Sequence, residues 1–415
     1  MDVRVMRSQD KPDEQGFTLI EIMVATAVTS VIVLAGMAAL TMTGKSVRAN
    51  EQISDAQQNA RLAMELISHD IKMAGFGPQI DLSKNPPPVG NCGIAGTPVP
   101  ILPGDNNPTV GANDTGPDSI SLMVPLTFYG GPGAPPVPPP WQTAATLGPG
   151  GFPSVAINAA ILPGMVAAGF GANSYISLGG VILAQVQGAA SPILLTIPDP
   201  GPNTVIPAGT QIFILQCITY QVIPQLAGGA PGADANNICL GNAPCLVRGV
   251  ANATVASFGR VLPNCNVPAS PCLPIVNGIE DIQFSYACDG CQVTVPPTVP
   301  DGLIDDLNLS LIFDQGDYIS NQIWSNNQPM TPSAIKMVQV SVVSRQQSMD
   351  NGLGEGSSQA GPGVLSTTFL TVDDHPHAGG VFVAGDAGAQ VPPYASVRRR
   401  VVTKTVETRN ARPWS

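Results

Sequence analysis

The stretch Gln15-Gly16-Phe17-Thr18-Leu19-Ile20-Glu21 places one carboxylate at the head of an otherwise uncharged run. From Ile22 to Gly44 no residue carries a charge, and these 23 positions exceed the roughly 20 that a helix needs to cross a hydrocarbon core. Glu21 therefore lies near one end of a predicted membrane span. A charge at the centre of such a span costs roughly 2.5 to 3.5 kcal/mol on insertion scales and less near an interface, so the residue reads as functional and in need of a partner. A secretory signal fits poorly, because its apolar region of about 7 to 15 residues precedes the cleavage site, whereas Gly16 precedes the apolar run. The plain alternative is a signal anchor with an incidental Glu.

Residues 1–16 hold Arg4, Arg7 and Lys11 together with Asp2, Asp10, Asp13 and Glu14, so the positive-inside signal is weak. Beyond Gly44 the helical pattern continues. Ile53, Ala60, Met64, Ile67, Ile71 and Ala74 recur at steps that mark one helical face, widened by Leu62, Leu66 and Met73. Gly75-Phe76-Gly77-Pro78 supplies a left-handed position and then a residue that cannot continue the helix. The spacing predicts a helix over 17–77, with 17–44 in the membrane and 45–77 amphipathic. No proline interrupts it between Phe17 and Gly77, so any unwinding would use Gly36 or Gly44.

The remaining segment, 78–415, is long enough for a sizeable core. Charged residues make up 11% of the chain, against a usual value of about 25%. With 44 Gly and 42 Pro, this composition predicts many short strands joined by turns rather than exposed helices. The region from Pro78 to Pro163 reads as loop-rich, with Pro86-Pro87-Pro88 and 131–140 extended as polyproline II. Strand signals follow at 174–178, 181–186, 193–197, 211–222, 279–286, 307–313, 336–345 and 398–408. Several alternate, such as Lys336, Val338, Val340 and Val342 against Met337, Gln339, Ser341 and Val343, as suits an antiparallel sheet with one covered face. The expected fold is α+β, a long amino-terminal helix packed on a mostly antiparallel head. A net charge of −11 argues against nucleic-acid binding, which demands a basic surface.

The residues GFTLIE and the apolar helix after them resemble the processing site of type IV prepilins. That resemblance implies cleavage after Gly16 by a prepilin peptidase/methyltransferase, N-methylation of Phe17, and a Glu21 that faces the terminal amine of a neighbouring subunit. Electrostatics reaches the same place, since cleavage creates a cation at the end of an apolar helix where a carboxylate of another copy gains most from it. A softer likeness covers Ile218-Thr219-Tyr220-Gln221-Val222, Leu246-Val247-Arg248, Val276 to Tyr286 and Arg398 to Asn410, which resemble the body and end of the PilW family of minor pilins. The implied role is assembly. Through its helix the chain would join other minor pilins and the major pilin, priming or capping a type IV pilus with the inner-membrane assembly machinery. The implied location is the inner membrane, in contact with lipid and with the head in the periplasm, and later the pilus at the cell surface. Two alternatives share the leader: a type II secretion pseudopilin, and a tip adhesin or ligand-binding head on a pilin stalk.

Eight cysteines all follow the span: Cys92, Cys217, Cys239, Cys245, Cys265, Cys272, Cys288 and Cys291. An even set in an exported head predicts disulfides. The close pair Cys288 and Cys291 lacks the second CxxC of a zinc site, and Asp289-Gly290 between them reads as a turn rather than a redox motif opening a helix. Asp289, Asp301, Asp305 and Asp306 are candidate oxygen ligands for Ca²⁺, weighed against a solvated, turn-forming acidic loop, which is preferred because the alternating pattern of an EF-hand is missing. His375-Pro376-His377 after Asp373-Asp374 reads as loop, His69 as part of a polar helix face, and Arg398 to Arg400 as alternating faces of a terminal strand. No GxSxG and no phosphate-binding glycine loop is present, so no enzymatic activity and no resident cofactor are expected.

Overall fold

The structure is a computed structural model. It describes residues 16–74, 93–94, 97–98, 100–104, 116–125, 142–146, 154–155, 175–180, 182–186, 193–196, 205–223, 239, 244–250, 272–290, 301–320, 335–346, 371–373, 375–376 and 399–408. Helix α1 spans Leu19–Met73, 55 residues and about 82 Å at 1.5 Å per residue. Its backbone is helical through both Gly36 and Gly44. The expected stop at Gly75 to Pro78 lies outside the described residues. The chain divides into two units, residues 1–51 and 52–415.

The strands of the second unit are β1 (Gly93–Ile94), β2 (Thr97–Pro98), β3 (Ile101–Gly104), β4 (Ser119–Pro125), β5 (Ser154–Val155), β6 (Tyr175–Leu178), β7 (Ile182–Val186) and β8 (Ile193–Thr196). They continue as β9 (Ile212–Ile223), β10 (Cys245–Val250), β11 (Cys272–Asn277), β12 (Ile279–Cys288), β13 (Ile335–Arg345), β14 (Thr371–Val372), β15 (His375–Pro376) and β16 (Arg399–Glu407). A nine-stranded sheet runs β11-β10-β9-β6-β7-β8-β5, with β4 joined to β9 and β3 to β4; a second sheet runs β12-β13-β16. Every pairing is antiparallel. This is the α+β architecture expected for a helix with an antiparallel head.

Both sheets and the second part of α1 contribute to one core. Ala63, Met64, Ile67, Ile71 and Ala74 follow the helical period and pack with Ile120, Leu122, Ile218, Tyr220, Phe284, Val338 and Val340. Ile67 and Ile71 are fully buried, and burial of each contributes about 1.5 to 3 kcal/mol. Strand β9 is buried on both faces. Ile218, Tyr220 and Val222 point into the main core, whereas Leu215 and Cys217 pack with Met123 and Tyr175 on the other side.

Three expectations need correction. The region from Pro78 to Pro163 contains β1 to β5, and every residue of β4 is buried, with Ile120, Leu122 and Val124 in the main core and Met123 in the cluster on the other face. Its first four residues, Ser119-Ile120-Ser121-Leu122, alternate polar and apolar, a strand signal that the proline-rich setting obscures. Residues 307–313 form no strand: Leu309 and Leu311 adopt φ values of 59° and 67°, left-handed conformations that no β-strand contains. Finally, Leu62 does not widen the buried helix face, being 46% exposed.

Candidate functional site

The start of α1 is built by the two polar residues of the quoted stretch. The backbone N–H of Thr18 and its hydroxyl both donate to Glu21 Oε2 at 2.9 Å, and the Glu21 N–H donates to Thr18 Oγ1 at 3.3 Å. This reciprocal capping box satisfies donors that a helix end leaves orphaned. It was readable as Thr-x-x-Glu ahead of an apolar run, a signal the reading of Glu21 as a group awaiting another subunit passed over. Glu21 thus has a partner within its own chain, one residue beyond Phe17, whose side chain is 84% exposed.

Below this cap the helix hides its own polar groups. Thr26, Ser30, Thr41 and Thr43 hydroxyls donate to backbone carbonyls three or four residues earlier, at 2.7 to 3.0 Å. By length and composition α1 can cross a membrane: its most apolar window has mean hydropathy 2.2, with none of it buried. Side chains such as Leu19, Ile32 and Leu40 are more than half exposed, the pattern of a surface that meets lipid or other helices.

Two ion clusters in the second unit escaped the sequence reading, since their members are far apart along the chain. Asp70 Oδ2 accepts from the Tyr220 hydroxyl at 2.6 Å and from Arg248 Nε at 3.0 Å, tying α1 to β9 and β10. Burial pushes the Tyr220 hydroxyl well above its ordinary pKa, and the Asp70 charge adds to the effect. Glu280 receives Arg399 Nε at 2.6 Å and Arg399 Nη2 at 2.9 Å, a bidentate pair, with Arg345 Nη1 at 3.8 Å. Burial lowers the Arg345 pKa despite the opposing Glu280 charge. Arg399 therefore faces inward while Arg400 is exposed, the alternation expected of a terminal strand.

Three of the four candidate calcium ligands, Asp289, Asp301 and Asp306, accept backbone N–H groups of their own turns. Asp289, 2% exposed, accepts the N–H groups of Asp301 and Gly302 at 2.9 and 3.1 Å and has Lys336 Nζ at 3.6 Å. Asp301 accepts from Leu303 N–H, Asp306 accepts from Ser310 and Leu311 N–H, and the Asp305 N–H donates to Cys288 O. Gly290 and Gly302 make their turns at φ 83° and 92°. Among the described residues no group of three or more His, Cys, Asp or Glu is placed to hold a metal ion. Cys239 and Cys245 form a disulfide with a Cα separation of 5.6 Å. Cys217, Cys272 and Cys288 are disulfide-bonded too, so Cys288 offers no thiolate to zinc. Cys92, Cys265 and Cys291 lie outside the described residues, as do Asp374 and His377. His375 is buried with Nδ1 2.8 Å from Asp281 Oδ2, and Asp373 accepts from Ser320 instead. His69 is exposed beside Asp70, as a polar helix face requires.

Known families match this chain at its amino-terminal end. The family described as the Prokaryotic N-terminal methylation motif matches residues 11–37, spanning Gly16, the capping box and most of the apolar run. No curated protein and no solved structure matches the chain. The motif implies processing by prepilin peptidase and assembly with other pilins, and it suggests a structural subunit rather than an enzyme. Together with the apolar helix it fits anchoring in the inner membrane before assembly. A methylation motif set on a capped, fully exposed apolar helix, with an antiparallel β-rich head in the same chain, supports a type IV pilin-like protein.

Proposed function

We propose that this chain is a minor pilin of the PilW type, cleaved after Gly16 and N-methylated at Phe17, which primes or caps type IV pilus assembly through its helix. The observation that carries the reading is the methylation motif over residues 11–37, aligned with the start of α1. Residues 1–16 are the leader, 17–44 the membrane segment, 45–77 the amphipathic continuation, and 78–415 the head. The mechanism is assembly. Close packing of apolar helices supplies cohesion, while the Phe17 amine of one subunit and the Glu21 carboxylate of the next set the register, since other alignments bury two charges without partners. Partners are the other minor pilins, the major pilin and the inner-membrane assembly machinery. The head faces the periplasm, where the disulfide of Cys239 and Cys245 is stable. No metal or other cofactor is required for this role.

Intact-mass analysis of protein recovered from sheared pili tests it. The expected species begins at Phe17 and is heavier by one methyl group. Recovery of assembled protein that retains residues 1–16 overturns the reading.

A further inference from the structure

Residues 301–320 present an exposed apolar cluster on a backbone that is held rigid. Leu303, Leu309, Leu311, Ile312 and Phe313 are 71, 80, 92, 68 and 46% exposed. Leu309 and Leu311 hold φ at 59° and 67°, which is costly for a residue with a branched side chain and is kept only where the surroundings impose it. Here they do. The Asp306 carboxylate takes the N–H groups of Ser310 and Leu311 at 3.0 and 2.7 Å. Buried Asp317 takes those of Leu307 and Asp314, both at 2.8 Å.

The base of the loop is fastened to the β12-β13-β16 sheet. Tyr286 and Ile319 exchange two backbone hydrogen bonds at 2.9 Å, and the Gln315 and Gln339 amides pair reciprocally at 2.7 and 3.0 Å. A segment that needed only to connect β12 to β13 would turn its leucines inward or replace them with polar residues. This one uses the partly exposed Asp306 and the buried Asp317 to hold its backbone while those leucines stay in water.

Charge selects the occupant. Residues 301–320 contain five Asp and no Lys or Arg, and all but buried Asp317 are at least partly exposed, so the apolar side chains belong to an acidic surface segment. An anionic lipid surface would repel that segment. A second copy of this chain, at net −11, would do the same. We propose that this loop is a docking element for a different protein, one that offers an apolar cleft bordered by Lys or Arg. The inference stands on the loop alone and is separate from the assembly reading drawn from the amino terminus.

A benzophenone photo-crosslinker placed at Ile312 of the full chain, in the native membranes, tests it. The expected result is one dominant adduct with a protein other than this chain, mapped by mass spectrometry to an apolar surface flanked by at least two basic residues. Adduct yield should fall at least tenfold in a Leu309→Asn, Leu311→Asn variant, whose side chains suit the left-handed backbone and so preserve the fold, with an unfolding midpoint no lower than that of the parent. Adducts with phospholipid or with a second copy overturn the proposal. So do adducts scattered over many proteins, or a yield unchanged in the Asn variant.

Discussion

The Tyr220 hydroxyl and the Asp70 carboxylate meet at 2.6 Å although 150 residues separate them, and the same carboxylate oxygen holds Arg248. The contact pins the last turns of α1 to the middle of β9. Asp70→Ala leaves a mostly buried phenol and a half-buried guanidinium without their acceptor. The expected loss is about 1.5 to 3 kcal/mol, the range for hydrogen bonds to a charged group. Urea unfolding of the purified full chain in detergent measures it, and Asp70→Asn, which keeps an acceptor oxygen, should lose less.

The same pair gives the head an alkaline limit. Because burial and the Asp70 charge raise the Tyr220 pKa, the folded state holds that proton more tightly than the unfolded chain does. Its contribution is complete below the ordinary tyrosine value of about 10 and is lost as pH climbs above it. The unfolding temperature should therefore drop between about pH 10 and 11. In Tyr220→Phe the drop should be shallower, although the midpoint at neutral pH is lower. Equal slopes for the two proteins would contradict this assignment.

Glu280 is the anionic centre of a second clamp, and its side chain is 5% exposed between Arg399 and Arg345. Glu280→Ala strands two buried cations. Breaking a buried pair from one side costs about 3 to 5 kcal/mol, so this substitution should be among the most destabilising in the head. Limited proteolysis at 37 °C reads it out. Arg399→Lys, which cannot bind bidentately, should fall between the two.

Under the proposed function, Glu21→Ala should leave insertion and processing intact and impair assembly. An unmatched Phe17 amine at about 3 to 5 kcal/mol corresponds to more than a hundredfold fewer assembled subunits. Loss of the Thr18 cap costs about 1 kcal/mol in addition and frays the first turn of α1. Glu21→Gln separates the two effects, since its amide oxygen can still accept from Thr18 but carries no charge. Counting surface pili and recovering partners after solubilisation compares the variants; normal piliation in Glu21→Ala would refute the register role.

How far the sequence could be read depended on how local each signal was. The Lys336 to Arg345 alternation marks β13 because successive side chains see different environments at its first half, and the apolar run after Glu21 marks α1. Strand β4 escaped because its proline-rich setting disguised the short Ser119-Ile120-Ser121-Leu122 alternation. The stretch 307–313 carries a strand's composition, yet Asp306, Asn308 and Asp314 capture nearby backbone N–H groups and bend it into turns. The Thr18 and Glu21 cap was legible from a spacing of three. The Asp70 and Glu280 clamps were not, since only tertiary folding brings their members together.

Strand β9 has a kinetic consequence. It pairs with β4 along one edge and with β6 and β10 along the other, and its contact between Ser121 and Thr219 closes a 98-residue separation. None of its edges can be satisfied by a neighbouring hairpin alone. Long-range closure of this kind slows folding and leaves strand edges exposed while it proceeds. The central sheet can therefore close only once the chain is present through β11, and β16 must follow before the second sheet is whole. Closure of the sheets is thus timed by how much of the chain is present rather than by local nucleation, and a chaperone that shields β9 in the interval should raise the folding yield more than any single stabilising substitution.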